Sequence, residues 1–379
     1  MKTMFDRASI NGMNLVNRFV RSATWEGLAD KDGSVTPSLT NKMVELAKGG
    51  VGLIITGYTF VSRGGQSSPG QMAVYEDRFV PGLRDMVQAV HAAEGKIALQ
   101  IVHGGSFSSA KLTGMEIVGP SASEKDGQPI SRSLSKKDIV DIISDFTQAA
   151  LRAKHAGFDA IQIHAAHGYL ISQFLSSALN TRTDEYGGVL TNRARLLLEV
   201  VRRVRQAVGR DYPLLVKLNS EDFLEGGLTR EEAVQVAVML QEASLDAVEY
   251  SGGTVVSPKK LMPPRPGLLK AAKNEVYFRE AARLYKQKVR IPLMLVGGIR
   301  SYQVAEELVK SGTCDFISMS RPLICEPGLI KRWQEGDHRK AECISCNSCF
   351  GPMSEGKGFY CVTMAKKQGK AVKQSKKRD

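Results

Sequence analysis

No stretch of this 379-residue chain approaches the ~18 consecutive apolar residues that a membrane-spanning helix needs, so no transmembrane segment is expected. The opening residues, MKTMFDR, lack the apolar core of a signal peptide, which points to a cytoplasmic protein. There is no G-x-G-x-x-G run after the first apolar stretch, which weighs against a dinucleotide-binding doubly wound sheet. Cysteine is sparse, and four of the six are bunched late, at Cys343, Cys346, Cys349 and Cys361. In a cytosolic chain that spacing suggests metal ligation rather than disulfides. Cys314 and Cys325 stand apart and are expected to be buried packing residues.

Acidic residues are outnumbered, 39 against 52 basic, for a net charge of +13. Residues 366–379 supply +6 of it, leaving only +7 on the body. A nucleic-acid protein would spread basic residues over a folded face, with aromatics for stacking. Here nearly half the excess sits in a low-complexity end, read as a solvated, disordered tail. Neither nucleic acid nor membrane is expected as a partner.

The body is 42% hydrophobic and 24% charged, the balance of a soluble globular protein. Apolar strand-like runs fall at residues 18–22, 51–58, 97–103, 159–163, 213–219, 246–250, 291–296 and 316–319. Amphipathic helical stretches alternate with them. Val, Ile and Leu without strict alternation suit parallel strands buried on both faces. Eight such units, averaging ~40 residues, predict an α/β chain folded as a (β/α)8 TIM barrel. A doubly wound sheet is the runner-up, because periodicity cannot show closure. The expected division is a barrel at 1–336, a Cys-rich appendage at 337–365 and the basic tail at 366–379.

Active sites of such barrels lie at the C-terminal ends of the strands. The polar outliers fall there: Gln100 on strand three, His164 with His167 and Tyr169 after strand four, and Lys217 on strand five. Gly297-Gly298 follows strand seven and Ser320-Arg321 follows strand eight. A glycine turn with exposed N–H groups and one fixed cation suits a phosphate. A His-x-x-His pair alone could be structural or part of a metal site, but zinc needs a third ligand and no third motif is paired with it.

The block IHAAHGYLISQFLSSALNTRTDEYGG, with NRFVRSA, LQIVHGG, VKLNSEDF, VGGI and SRPL, resembles the old yellow enzyme family of FMN-dependent oxidoreductases. The resemblance covers about residues 5–335. It implies FMN across the barrel mouth, reduced by NADH or NADPH, with hydride passing on to an alkene conjugated to a carbonyl. His164 and His167 would then hold the carbonyl oxygen, and Tyr169 would supply a proton to the α-carbon. Gln100 would bond the flavin ring, and Lys217 would sit near flavin N1 and O2. Ser22, Ala23, Thr24 and Gly57 would flank the flavin, and Gly297, Gly298, Ser320 and Arg321 would hold its phosphate. Many relatives carry Arg where Lys217 stands, and a lysine lacks the bidentate fork. Trp25 or Thr24 occupies the place that is Thr or Cys in well-known members.

The four cysteines are similar to the segment after the barrel in 2,4-dienoyl-CoA reductase and trimethylamine dehydrogenase, which implies a [4Fe–4S] cluster. Ligand type alone leaves zinc, or no metal, open. A cluster here would need a partner electron-transfer protein. A second functional reading is therefore an amine dehydrogenase or demethylase, with Trp25, Tyr58, Phe60 and Tyr169 as a cage for a cation. A third is an electron-carrier subunit. Substrate choice would lie in the loops at 104–135 and 257–268. The coenzyme, NADH or NADPH, and the oligomeric state have no signature in the sequence.

Overall fold

The structure is a computed structural model that describes residues 2–265, 267, 271–354 and 357–375. Eight parallel strands form its centre: β1 Phe19–Arg21, β2 Leu53–Ile55, β3 Ile97–Val102, β4 Ala160–Ala165, β5 Leu214–Asn219, β6 Ala247–Ser251, β7 Leu293–Leu295 and β8 Phe316–Met319. Each pairs with the next, and β8 returns to β1 with Ile317 opposite Phe19 and Met319 opposite Arg21. The sheet is closed, which removes the doubly wound alternative. Eight principal helices follow the strands: α1 Pro37–Lys48, α2 Val80–Ala92, α3 Lys136–Ala156, α4 Arg195–Val208, α5 Arg230–Glu242, α6 Arg279–Lys288, α7 Tyr302–Lys310 and α8 Leu329–Gln334. Among the described residues no helix is long and apolar enough to cross a membrane.

Two helix starts show how local chemistry fixes the elements. Ser135 accepts the Asp138 N–H at 3.2 Å, and Asp138 accepts the Ser135 N–H at 2.8 Å, a reciprocal cap that starts α3. Thr229 and Glu232 do the same for α5. Gly157 ends α3 at φ +91°, where a side chain would be strained.

The core has two compartments. One lies between strands and helices; the other fills the barrel with Val20, Leu53, Ala98, Leu215, Met294 and Phe316. The second is floored by Ile10, Met13 and Leu15. These come from an antiparallel hairpin, Ala8–Ile10 with Met13–Leu15, that the sequence reading passed over. Its strands are three residues each, too short for a periodic signal.

Three expectations change. The loop at 104–135 carries its own sheet, Val118–Gly119, Ser123–Lys125 and Gln128–Ser133, over the strand ends. Its Ser131 hydroxyl is buried 2.7 Å from that of Ser123. The basic tail is not wholly disordered: α9, Val362–Ser375, runs through its first ten residues. Lys, Gln and Ala there are good helix formers; residues 376–379 lie outside the described set. Cys314 is buried as expected, but Cys325 does not stand alone: burial, with the Cys361 thiol beside it, holds its pKa well above the usual thiol value.

Candidate active site at the barrel mouth

A cavity of about 310 Å³ opens at the C-terminal ends of the strands. Ser22, Ala23, Thr24, Gln100, His164, His167, Tyr169, Lys217, Gly297, Gly298, Ser320 and Arg321 all line it. Gly57 does not. A Cβ there would stand 2.3 Å from Glu26 Oε2, so this glycine makes room for the buried Arg21–Glu26 ion pair. Both Thr24 and Trp25 reach the cavity. The Thr24 hydroxyl lies 2.8 Å from that of Ser320, tying the first strand end to the last.

At one end stand the histidines. The His164 Nδ1 accepts the Ala166 N–H at 3.2 Å. Burial, helped by His167 and Lys217, holds its pKa well below the usual 6.5. A neutral ring that accepts at Nδ1 carries its proton on Nε2, so His164 is a fixed neutral donor. His167 sits at φ +64°, held by its N–H on Asn219 Oδ1 at 3.1 Å. Asn219 in turn donates to the buried Asp222 at 2.7 Å. Burial, helped by the Lys217 charge, pulls His167 down to about 3, and its Nε2 lies 2.7 Å from Ser251 Oγ. The two rings meet edge to face at 5.1 Å, and Tyr169 packs 4.9 Å from His164. Burial, with Tyr58 beside it, holds the Tyr169 phenol well above 10, so it stays protonated.

Beneath these groups a polar chain crosses the barrel. Gln100 donates to Gln162 at 2.7 Å, and Gln162 to Glu249 at 2.9 Å. Glu249 also accepts Ser318 Oγ at 2.6 Å and pairs with Lys217 Nζ at 3.0 Å. Lys217 donates to Ser22 Oγ at 2.8 Å as well, which leaves one of its three N–H groups for a ligand. Burial pulls Lys217 below its ordinary value against the pull of Glu249. Burial alone would raise Glu249, but Lys217 and the hydroxyls of Ser22 and Ser318 outweigh it and keep the carboxylate ionised. Glu249, Gln162 and Ser318 were missed by sequence reasoning. Polar residues inside the apolar strands AVEYS, AIQIHA and FISM were the signal.

The other end is cationic. Gly297 and Gly298 turn there at φ +142° and +76°, and a Cβ on Gly298 would meet the Tyr277 ring at 2.6 Å. Arg321 Nη1 donates to Asn347 Oδ1 at 2.5 Å and Arg265 O at 3.1 Å. It forms no ion pair with a carboxylate among the described residues. Arg300, also missed, lines the same end. Ser345, Phe350 and Phe359 come from the Cys-rich segment to complete the wall. These features fit a flavin mononucleotide: unneutralised guanidinium, tight glycine turn, and a Trp25 Nε1 buried without a partner.

The R-T-D-E-Y-G-G part of the motif does something else. Arg182 grips Asp184 at 3.0 and 2.6 Å, and donates to Pro120 O at 2.8 Å and Leu134 O at 2.7 Å. It straps the 104–135 segment to the barrel. Of the aromatics proposed as a cation cage, Trp25, Tyr58 and Tyr169 line the cavity, whereas Phe60 is buried behind it against Tyr75.

The four late cysteines surround one small cavity that Arg321 and Ser345 share with the larger one. Among the described residues no three His, Cys, Asp or Glu side chains are grouped to hold a single ion. Four thiols around one cavity are a donor set of the kind a [4Fe–4S] cluster takes. Burial pushes the Cys349 thiol up to about 11, so metal loading there must release a proton. Part of the 257–268 segment, residues 266 and 268, lies outside the described residues.

The chain matches the NADH:flavin oxidoreductase / NADH oxidase family over residues 3–340. It is 37% identical to an NADH oxidase of Thermoanaerobacter brockii over 360 residues, 92% of this chain but 53% of that one. A 2-naphthoyl-CoA reductase structure superposes with a TM-score of 0.87 at 30% identity, covering 95% of this chain and 56% of that one. An old yellow enzyme homologue from Zymomonas mobilis gives 0.76 at 27% identity, covering 91% and 96%. The chain thus spans about half the length of the first two relatives and nearly all of the third. With a closed barrel, a mouth that fits FMN and this match along the whole barrel, the chain belongs to the NADH:flavin oxidoreductase family of old yellow enzymes.

Proposed function

We propose that this chain is an FMN-dependent NAD(P)H oxidoreductase that reduces the C=C bond of an α,β-unsaturated carbonyl compound. The observation that carries the reading is the His164 ring, locked neutral with its donor on Nε2 beside a protonated Tyr169. FMN, when bound, supplies the hydride chemistry. Ser22, Gln100 and Lys217 would hold its ring, and Gly297, Gly298 and Arg321 its phosphate.

His164 presents an N–H to the substrate's carbonyl oxygen, where negative charge grows as the β-carbon gains hydride. A fixed neutral dipole in a dry site stabilises that charge with little reorganisation. The Ser251 hydroxyl shares the His167 Nε2, so His167 and Ser251 act as a linked pair on the same oxygen. Tyr169 gives its phenolic proton to the α-carbon and regains one from solvent. Tyr58, bonded to Ser68 at 2.8 Å, packs 5.3 Å from Tyr169 and fixes its ring.

The aromatic trio also favours a second reading, oxidation of an amine. His164 offers the cavity an N–H donor rather than an acceptor, which makes a cationic ligand the weaker fit. In either case we place a [4Fe–4S] cluster on Cys343, Cys346, Cys349 and Cys361, with an electron-transfer protein as its partner. Stopped-flow absorbance tests the choice. Bleaching of the flavin by NADH or NADPH, then recovery on adding cyclohexenone, is the expected result. Reduced protein that no activated alkene reoxidises would sink the ene-reductase reading, and bleaching by an amine alone would favour the second. A paramagnetic signal beyond a flavin radical, after dithionite, is expected for the cluster.

A further inference from the structure

Among the described residues, Arg300 is the buried guanidinium at the mouth that the roles above leave unused. It follows the Gly297-Gly298 turn and is only 2% exposed. Its Nη1 donates to Cys343 O at 2.7 Å, and its backbone carbonyl accepts the Ala341 N–H at 2.9 Å. Its Nε and Nη2 are buried and have no hydrogen-bond partner. No carboxylate pairs with it among the described residues. The nearby Glu275 carboxylate is taken by the N–H groups of Arg300 at 2.8 Å and Ser301 at 3.1 Å, by the Ser301 hydroxyl at 2.7 Å and by Lys340 at 3.1 Å. Leaving a buried cation with two empty donors is costly, and the cost disappears when an anion with paired oxygens arrives. Arg321 lines the same end of the cavity, also without a carboxylate.

We propose that Arg300 is a two-ended strut: Nε and Nη2 bind the flavin phosphate opposite Arg321, while Nη1 holds the Cys343 carbonyl, so that flavin affinity depends on the order of the cysteine segment. This rests on the FMN reading of the cavity. A guanidinium suits both tasks because its donors form a planar fork. The phosphate gains a second cation, and the backbone at the first cysteine is held from within the barrel.

The test is flavin binding to apoprotein, followed by quenching of flavin fluorescence for FMN and for riboflavin, which lacks the phosphate. Arg300→Met is expected to weaken FMN about 30-fold, roughly 2 kcal/mol at 1.4 kcal/mol per tenfold, and to leave riboflavin unchanged. Arg300→Lys keeps the charge without the fork, and should lose a smaller part of the preference for FMN. If the Met variant does not fold, the Lys variant carries the comparison. Equal weakening of both flavins, or an unchanged preference for FMN, overturns the proposal. Wild-type protein that binds neither flavin overturns the FMN reading instead.

The coupling has its own arm. Cys346→Ser touches neither Arg300 nor the larger cavity, and should lower FMN affinity several-fold in the wild-type background but not beside Arg300→Met. The same loss in both backgrounds overturns the link to the cysteine segment.

Discussion

The two ends of the cavity are built from opposite electrostatics. At the end formed by β3 and β4 the donors are neutral: His164 and His167 are kept uncharged by burial, and Tyr169 is kept protonated. At the β7–β8 end the donors are the guanidinium cations of Arg300 and Arg321, with no carboxylate among the described residues to balance them. Lys217 stands between, charged but matched by Glu249. On the proposed function, the difference follows the lifetime of the negative charge that each end would meet. A phosphate is anionic throughout the catalytic cycle, so fixed cations can hold it. A carbonyl oxygen becomes negative only during reaction, and a cation there would bind anions in the ground state without helping the rate.

Several changes would break or sharpen this contrast. The largest effect is expected at the boundary. Lys217→Ala leaves Glu249 buried without its cation and should cost about 3–5 kcal/mol of stability, read from urea unfolding. A loss below about 1 kcal/mol would mean that water already solvates the pair.

Next comes the neutral end. His164→Ala should lower kcat/KM for an enone by about 100- to 1,000-fold with FMN affinity unchanged. Loss of FMN in this variant would show that the two ends are not separate. Tyr169→Phe removes only the proton, so reoxidation by the enone should slow by about 100-fold while reduction by NAD(P)H is unaffected. Equal slowing of both half-reactions would assign the phenol to packing.

A pH trend acts on the whole fold rather than on one end. The folded state holds His103 near 4 and His167 near 3 by burial, below the unfolded value of 6.5. Their stabilisation is therefore complete above about pH 6.5 and falls as pH drops toward those values, by at most about 1.4 kcal/mol per unit for each ring. Melting temperature measured between pH 7 and 4.5 should show this decline, and His103→Gln should flatten it. A flat profile in the wild type would mean that the rings are hydrated.

Much of the candidate site was legible because polar residues interrupt or end apolar runs. Gln100 and Lys217 interrupt apolar strands, while His164 and the Gly297-Gly298 turn stand out where an apolar run meets a loop. What escaped was of two kinds. Glu249 and Gln162 lie within strands, where alternation was not expected and a polar residue went unremarked. Arg300, Ser345, Phe350 and Phe359 reach the cavity through tertiary contacts of a segment read as a separate appendage. The RTDEYGG block was legible as a motif, and its Arg182 binds backbone carbonyls of the covering segment and takes no place in the cavity. The barrel itself was readable unit by unit, yet closure needed coordinates.

That closure also sets the order in which the molecule can be made. β8 lies nearly the whole barrel away from β1 in sequence, so their pairing is the most non-local contact of the sheet. A chain leaving the ribosome cannot complete the ring, or shape either end of the cavity, until Phe316–Met319 has emerged. Assembly dominated by such distant pairings is slow. Partly made chains therefore expose the β1 edge, and flavin capture belongs to the last stage of folding.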